Sequence, residues 1–220
     1  MTAEGAPRNQ QLVETTAPAY WHTACAELAA GDPVMATLID RYPDATLGNR
    51  GDPFQTLSRA IVGQQISVKA ADSIWLRFAD YAQHIQPEHI ATLELDALAA
   101  CGLSRRKAEY LRDLAGHFVD GRIAPARWTT RDDAAVIAEL TDVRGIGRWT
   151  AEMFLIFSLR RPDVWPLDDI GLQKAVALHY FDGERPSPKT LAEHGTRHAP
   201  WRTVATWYLW RSLDPMVVQY

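Results

Sequence analysis

The stretch Leu140-Thr-Asp-Val-Arg-Gly-Ile-Gly-Arg-Trp-Thr-Ala151 decides the fold of this chain. Apolar residues at helical spacing stop just before Gly145, and a second apolar run begins directly after Gly147. Glycine permits a tight turn here and a close approach of another molecule, because no Cβ stands in the way. The pattern therefore predicts a helix, a hairpin and a second helix over about residues 134–158.

The second helix of this hairpin would begin with free backbone N–H groups at the positive end of its dipole, which is a good environment for a phosphate. A purely structural corner between two helices is the alternative for an isolated Gly-x-Gly. The dinucleotide-binding loop is excluded, because no strand precedes the glycines and Thr150 occupies the place of the third glycine.

The composition of the chain excludes some classes of protein and some kinds of metal site. The chain has 220 residues, of which 47% are hydrophobic and 23% charged, and its net charge of -4 means that nucleic-acid binding would need a local positive face. Its two cysteines, Cys25 and Cys101, exclude a four-cysteine iron–sulfur cluster and argue against a disulfide framework. No apolar run is long enough to span a bilayer, so we expect a cytoplasmic protein without membrane contact.

The rest of the chain predicts further helices and no strands. Asp52 followed by Pro53 is a good helix start, and Ser67 and Ser104 are each suited to cap a helix. Apolar spacing predicts additional helices over residues 20–30, 33–41, 92–100, 170–180, 189–198 and 201–213. This pattern is typical of an all-α fold with short connections.

Two adjacent carboxylates, Asp168 and Asp169, stand where a proline-punctuated loop becomes a helix. Neighbouring residues at a helix start point in different directions, so they are not an obvious metal pair, and capping needs only one of them. Either can be the cap or a supporting residue on the sequence alone. An aspartate at this place keeps its charge, because the helix dipole favours it, and suits the stabilisation of a nearby cation.

These motifs together resemble the signature of the helix–hairpin–helix base-excision DNA glycosylases, in which the hairpin is followed by a Pro-rich loop and an aspartate, here Pro166-Leu-Asp168-Asp169. Three further motifs resemble the alkylpurine branch of that superfamily, DNA-3-methyladenine glycosylase II: Ile61-Val-Gly-Gln-Gln65-Ile-Ser67, Gly102-Leu-Ser104-Arg-Arg-Lys107-Ala108 and Pro200-Trp201-Arg202 with Trp210. The resemblance implies a two-lobed, all-α fold with the active-site cleft between the lobes.

The resemblance also assigns roles to matching positions. It makes Asp169 the catalytic carboxylate and places Trp149, Trp210 and Met153 around the base pocket. It implies DNA contacts at Gly145, Gly147, Arg148, Thr150, Gln65, Ser104 and Lys107, with Gln65 as the wedge in the gap left by an extruded nucleotide. It places a structural cation on the backbone carbonyls of Thr141, Val143 and Gly145, and implies no cofactor for catalysis and no iron–sulfur cluster. For Arg105, Arg106, Lys107, Arg148 and Arg202, a merely solvated charged face is the alternative to DNA contact.

The implied activity is hydrolysis of the N-glycosidic bond of alkylated purines in double-stranded DNA. Lyase-type relatives carry a lysine nucleophile where this chain has Trp149, so a monofunctional enzyme is expected. A glycosylase for deaminated or oxidised bases and a non-catalytic DNA-binding module are the alternatives. We expect a monomer with a flexible tail over residues 1–18, one lobe over 54–164, and another over 19–53 together with 165–220.

Overall fold

Several helices of this protein begin where a capping side chain precedes an apolar run. The structure is a computed structural model that describes residues 17–44, 46–48 and 51–213. Asp52 accepts a hydrogen bond from the Gln55 amide at 2.8 Å, and Pro53 fills the first helical position, where no N–H is needed. Ser67 and Ser104 cap the helices that follow them, so these three predicted helix starts are confirmed.

The α-helices of the described chain follow one another with short connections. They are α1 (Trp21–Gly31), α2 (Pro33–Arg41), α3 (Pro53–Gly63), α4 (Val68–Ala82), α5 (Pro87–Thr92), α6 (Leu95–Ala100), α7 (Arg105–Val119), α8 (Asp133–Thr141), α9 (Arg148–Phe157), α10 (Ile170–Tyr180), α11 (Pro188–Gly195) and α12 (Arg202–Leu213). Short 3-10 helices cover Pro125–Thr130 and Thr196–His198. No strand occurs among the residues described, and the all-α prediction is confirmed.

Some predicted helix boundaries are wrong. The helix expected over 92–100 begins only at Leu95, because Leu93 is extended, with φ −71° and ψ 141°, and Glu94 takes the position before α6. Thr92 is instead the last residue of α5, a helix that the apolar spacing did not predict. The helix expected over 189–198 ends at Gly195 and continues only as a 3-10 turn. Most of the predicted tail, residues 1–16, and the last residues, 214–220, lie outside the described part of the chain.

The helices pack as two neighbouring groups around one continuous hydrophobic core. In one group α1, α2, α10 and α12 pack on one another, and in the other α3, α4, α5, α6 and α7 pack together and α9 reaches α3. Trp21, Trp128 and Tyr208 are among the largest fully buried side chains. Much of the high tryptophan content therefore builds the core, while Trp149 and Trp210 remain half-buried at the junction of the two groups.

Candidate active site

Asp169 lies at the start of α10 and is almost completely buried, with 5% of its surface exposed. Its Oδ1 atom accepts a hydrogen bond from the Leu172 amide at 2.6 Å, which makes it the N-cap of that helix. Asp168 is exposed and does not cap α10. The structure thus separates the two adjacent carboxylates: Asp169 caps the helix and points into the protein.

Two indole rings hold the Asp169 carboxylate, one at each of its oxygens. Trp210 on α12 donates its Nε1–H to Oδ1 at 2.7 Å, and Trp149 on α9 donates its Nε1–H to Oδ2 at 2.9 Å. Together with the Leu172 amide, these N–H groups stabilise the negative charge and fix the direction of the carboxylate. The sequence-predicted residues Asp169, Trp149 and Trp210 are therefore brought together.

The walls beside this carboxylate are aromatic and closely packed. Trp210 stacks on Phe157 with 5.9 Å between ring centroids and an interplanar angle of 12°. Met153, the third predicted pocket residue, is buried one turn beyond Trp149 on α9. Gly171 lets the ring and the carboxylate approach α10, since a Cβ there would lie 3.0 Å from Trp210 Cδ1 and 3.1 Å from Asp169 Oδ1.

The two hairpin glycines differ in what the fold requires of them. Gly145 has φ +88°, and a Cβ at this position would overlap the ring of Tyr110, so the fold itself requires glycine there. Gly147 has φ −90°, and a Cβ there would meet nothing within 4 Å. It precedes α9, and no side chain caps the start of that helix. The contacts within the fold therefore do not require glycine at position 147.

Other predicted DNA-contact residues are engaged within the protein. Lys107 donates from Nζ to the carbonyls of Val62 at 2.8 Å and Gln64 at 2.7 Å, and burial lowers the pKa of its ammonium group. Ser104 accepts the Lys107 amide as the cap of α7. Any phosphate contact by Lys107 would therefore share an ammonium already bound to carbonyls. Gln65 lies in the adjacent turn, exposed and with φ +59°.

Arg148 and Arg202, expected as free positive charges, are both paired with carboxylates. Arg148 donates from Nε to Glu152 Oε1 at 2.8 Å, and Arg202 donates to Asp163 through Nε at 2.6 Å and Nη2 at 2.8 Å. Burial, opposed by Arg148, raises the pKa of the Glu152 carboxyl, whose Oε2 has no hydrogen-bond partner among the described residues. The charges of these two arginines are therefore balanced within the protein by neighbouring carboxylates.

Thr150 is half-buried in the first turn of α9 and Gly147 is exposed. Their predicted contacts with DNA stay a prediction, as do those of Arg148 and Gln65. All of these positions nevertheless lie near one another, because Gln64, next to Gln65, donates from Nε2 to the Gly145 carbonyl at 2.7 Å.

That same hydrogen bond lies at the predicted cation site. The Gly145 carbonyl accepts the Gln64 amide, and the Val143 carbonyl accepts the Ile146 N–H at 3.1 Å. Each carbonyl oxygen keeps a second lone pair. The cation on the carbonyls of Thr141, Val143 and Gly145 stays a prediction. Within the described ranges, no group of three or more His, Cys, Asp or Glu side chains could hold a metal ion.

Several residues that shape the site are not evident from the sequence. Gln64, Tyr110, Glu152 and Gly171 act through contacts that depend on how the helices pack. For Gln64, the sequence signal that could have indicated a role in the site is its position next to Gln65, the proposed wedge. Among the helices of the described chain, none is both long and apolar enough to cross a membrane.

Comparison with known proteins agrees with this geometry. The family model described as the HhH-GPD superfamily base excision DNA repair protein matches residues 58–200. DNA-3-methyladenine glycosylase 1 of Schizosaccharomyces pombe is 34% identical over 182 residues, which cover 81% of this chain and 80% of that protein.

Solved structures of similar proteins superpose well on this chain. The DNA-3-methyladenine glycosidase from Bacillus halodurans has a TM-score of 0.81 at 36% identity, covering 87% of this chain and 89% of that one. The Schizosaccharomyces pombe 3-methyladenine DNA glycosylase in complex with abasic DNA has a TM-score of 0.75 at 30% identity, covering 90% and 98%. The resemblance drawn from the motifs is confirmed, and the chain belongs to the HhH-GPD superfamily of base excision DNA repair proteins.

Proposed function

We propose that the protein is a monofunctional DNA glycosylase that hydrolyses the N-glycosidic bond of alkylated purines, of the 3-methyladenine and 7-methylguanine type, in double-stranded DNA. The product is an abasic site for base excision repair. The observation that carries this proposal is the buried Asp169 carboxylate, which two indole N–H groups hold at the start of α10. The 3-methyladenine glycosylases among the similar proteins support the same substrate class.

The reaction requires the target nucleotide to leave the double helix. A base inside the duplex cannot reach a buried carboxylate, so it must be extruded, and the cost of unstacking is about a few kcal/mol and lowest for damaged pairs. Gln65, which is exposed in the turn between α3 and α4, would occupy the gap that the nucleotide leaves. The start of α9 beside Gly147, which no side chain caps, would bind a backbone phosphate.

The extruded base would lie against the indole rings. Purines alkylated at N3 or N7 are cationic, and the faces of Trp149 and Trp210 attract cations by about 0.5–2 kcal/mol per ring. Phe157 covers one face of Trp210, so the base would use the other. The positive charge already weakens the glycosidic bond, and a strong general acid is therefore unnecessary.

Asp169 would act on the sugar. Its Oδ1 accepts two N–H groups and its Oδ2 accepts one, which leaves the remaining acceptor capacity on Oδ2 for the substrate side. As the bond breaks, the sugar becomes an oxocarbenium-like cation, and a fixed negative charge nearby stabilises it without reorganisation. The same oxygen would orient the attacking water or accept its proton.

Trp149 also determines which chemistry is absent. An indole cannot attack the sugar as an amine does, so the abasic strand should remain intact after base release. The Trp149 N–H is instead used to hold Asp169. The proposed enzyme therefore has hydrolase activity and no lyase activity.

The test is base release from DNA treated with a methylating agent. Free 3-methyladenine and 7-methylguanine are quantified by chromatography, and strand breaks are compared with and without alkali. We expect methylated purines in the supernatant and breaks only after alkali. A panel of duplexes carrying hypoxanthine or 8-oxoguanine is run in parallel. Release of those bases alone, or duplex binding without any base release, would contradict the proposal.

A further inference from the structure

The turn between α3 and α4 is fastened to α7 by one lysine. Lys107 Nζ donates to the Val62 carbonyl at 2.8 Å and to the Gln64 carbonyl at 2.7 Å. These carbonyls lie at the C-terminal end of α3, where intrahelical donors are lacking and a positive charge is favourable. Ser104 fixes the Lys107 backbone as the cap of α7. The lysine is thus half-buried and held at both its ends.

The same turn is fastened to the hairpin by the side chain of Gln64. Its Nε2 donates to the Gly145 carbonyl at 2.7 Å, across a sequence separation of 81 residues. Gly145 in turn packs directly on the ring of Tyr110 in α7. The turn, α7 and the hairpin therefore form one connected unit.

Gln65 directly follows these attachments and has an unusual backbone conformation. Its φ of +59° is in the left-handed region, which residues other than glycine rarely adopt. Such a conformation persists only when the surrounding contacts determine it. Those contacts are the hydrogen bonds of Lys107 and Gln64 on the preceding residues, while the Gln65 side chain itself is exposed.

We propose that Lys107 and Gln64 are positioning residues for nucleotide extrusion. They hold the turn in the conformation that projects Gln65 into the gap in the DNA, and they join that wedge rigidly to the hairpin that binds the phosphate. This inference rests on the proposed function of the site. If the turn were mobile, the neighbouring bases could restack and displace Gln65 from the gap. A turn that is already rigid does not have to be ordered during the reaction.

The test compares Lys107→Met, Gln65→Ala and the double variant in single-turnover excision. Each acts on two duplexes with an alkylpurine that the wild type excises, one opposite its normal partner and one opposite a tetrahydrofuran abasic analogue. We expect Lys107→Met to lose about tenfold in rate on the paired duplex, as misplacement of a positioned group does. On the unpaired duplex the rate should change little, because no partner base competes for the gap.

The double variant distinguishes a tether from an independent contact. If Lys107 acts through Gln65, Lys107→Met should add little to the loss already caused by Gln65→Ala, since coupled residues are not additive. The salt dependence of duplex binding should also be unchanged, whereas loss of a direct phosphate contact would lower the slope of log K against log salt by about 0.9. The control for loss of one positive charge is Lys189→Met, because the Lys189 side chain on α11 is exposed.

Gln64→Ala removes only the bond to the hairpin and provides a second variant if Lys107→Met does not fold. It should show the same preference for the unpaired duplex, and Lys107→Arg should restore part of the paired rate. Provided that the wild type is active, three results would overturn the positioning role of Lys107 and Gln64. They are equal losses of rate on both duplexes, additive effects with Gln65→Ala, and a reduced salt dependence of binding. Failure of the wild type to release any methylated purine would instead overturn the proposed function.

Discussion

Asp169 combines two duties at the level of a single residue. Its Oδ1 caps α10 through the Leu172 amide, and the same carboxylate accepts both indole N–H groups in the cleft. The cap fixes the side chain on a rigid helix start, and the indoles set its direction. A group held in this way can stabilise charge on a substrate without moving first.

Substitution of Gly171 tests how strongly excision depends on the positions of Asp169 and Trp210. A Cβ at this position would lie 3.0 Å from Trp210 and 3.1 Å from Asp169, so Gly171→Ala should displace both by a few tenths of an ångström. We expect a decrease of about tenfold in single-turnover excision, because small misplacements near the reacting atoms are costly. Duplex affinity should be retained.

The matched control for this substitution is Gly116→Ala. Gly116 is also helical, in α7, and a Cβ there meets nothing within 4 Å. It should stabilise the protein by about 0.5–1 kcal/mol, as alanine does in a helix interior, and leave excision unchanged. Equal activity of both alanine variants would show that the packing around Asp169 tolerates the shift.

The sequence could identify Asp169 but not what surrounds it. A Pro-rich loop before an apolar helix predicts a capping carboxylate from local signals, but these signals do not separate Asp168 from Asp169, and the family resemblance selects Asp169. The partners of Lys107 could not be predicted, because they are carbonyls 43 and 45 residues away that become neighbours only when α3 packs on α7. For that reason the lysine was interpreted as a surface charge for DNA.

The hairpin between α8 and α9 is the element whose interpretation changes most with the structure. Both glycines were candidates for close approach of DNA, yet Gly145 is needed by the fold, through its φ of +88° and its contact with Tyr110. Gly147 alone has neither constraint. It is therefore the position at which a substitution tests the proposed phosphate contact without disturbing the fold.

Gly147→Ala should weaken binding to damaged and undamaged duplexes alike by about tenfold, because phosphate contacts position the protein without reading sequence. The thermal unfolding midpoint should be unchanged. Fluorescence anisotropy at low salt measures the affinity, and Gly145→Ala, which should lower the unfolding midpoint, is the contrasting variant. An unaltered affinity of Gly147→Ala would count against a phosphate at the start of α9.

Most helices could be predicted because their starts carry their own caps. Helix α5 and the start of α6 at Leu95 could not, since Leu93, Leu95 and Leu98 fit one continuous helix by their spacing and neither α5 nor α6 has a side-chain cap. Helices of this length produce too little periodicity to be detected on their own. Their existence depends on packing against α7.

At the scale of the whole molecule, the site is formed where the two helix groups meet. Trp149 comes from α9 in one group, and Trp210 and Asp169 come from α12 and α10 in the other. Relative movement of the groups would separate the indoles around the carboxylate. The sequence predicts each member of this site, but only the packed structure shows the hydrogen bonds that join them.

A buried histidine pair beside the group formed by α1, α2, α10 and α12 links folding to pH. His198 is 1% exposed, and burial lowers the pKa values of His194 and His198 from about 6.5 to about 4. Asp32, Arg197 and the Tyr180 ring are their neighbours. Because the unfolded chain binds protons that the folded one does not, stability should be complete above pH 6.5 and fall as pH decreases toward 4, by about 1.4 kcal/mol per pH unit for each group.

Thermal unfolding between pH 4.5 and 7.5 measures this dependence. Neither ring nitrogen of His198 has a hydrogen-bond partner in the described chain, so His198→Phe should fold and flatten the slope. An unchanged slope in that variant would assign the acid sensitivity to other groups, such as carboxylates that are paired in the folded state.

The central claim is that the Asp169 carboxylate drives base release, and single-turnover excision by Asp169→Asn tests it most directly. Asparagine caps helices as well as aspartate does, so the variant should fold and bind duplex DNA with wild-type affinity. Without the negative charge, release of 3-methyladenine from methylated DNA should fall by about 100-fold or more. Excision at the wild-type rate would remove Asp169 from the mechanism and contradict the account.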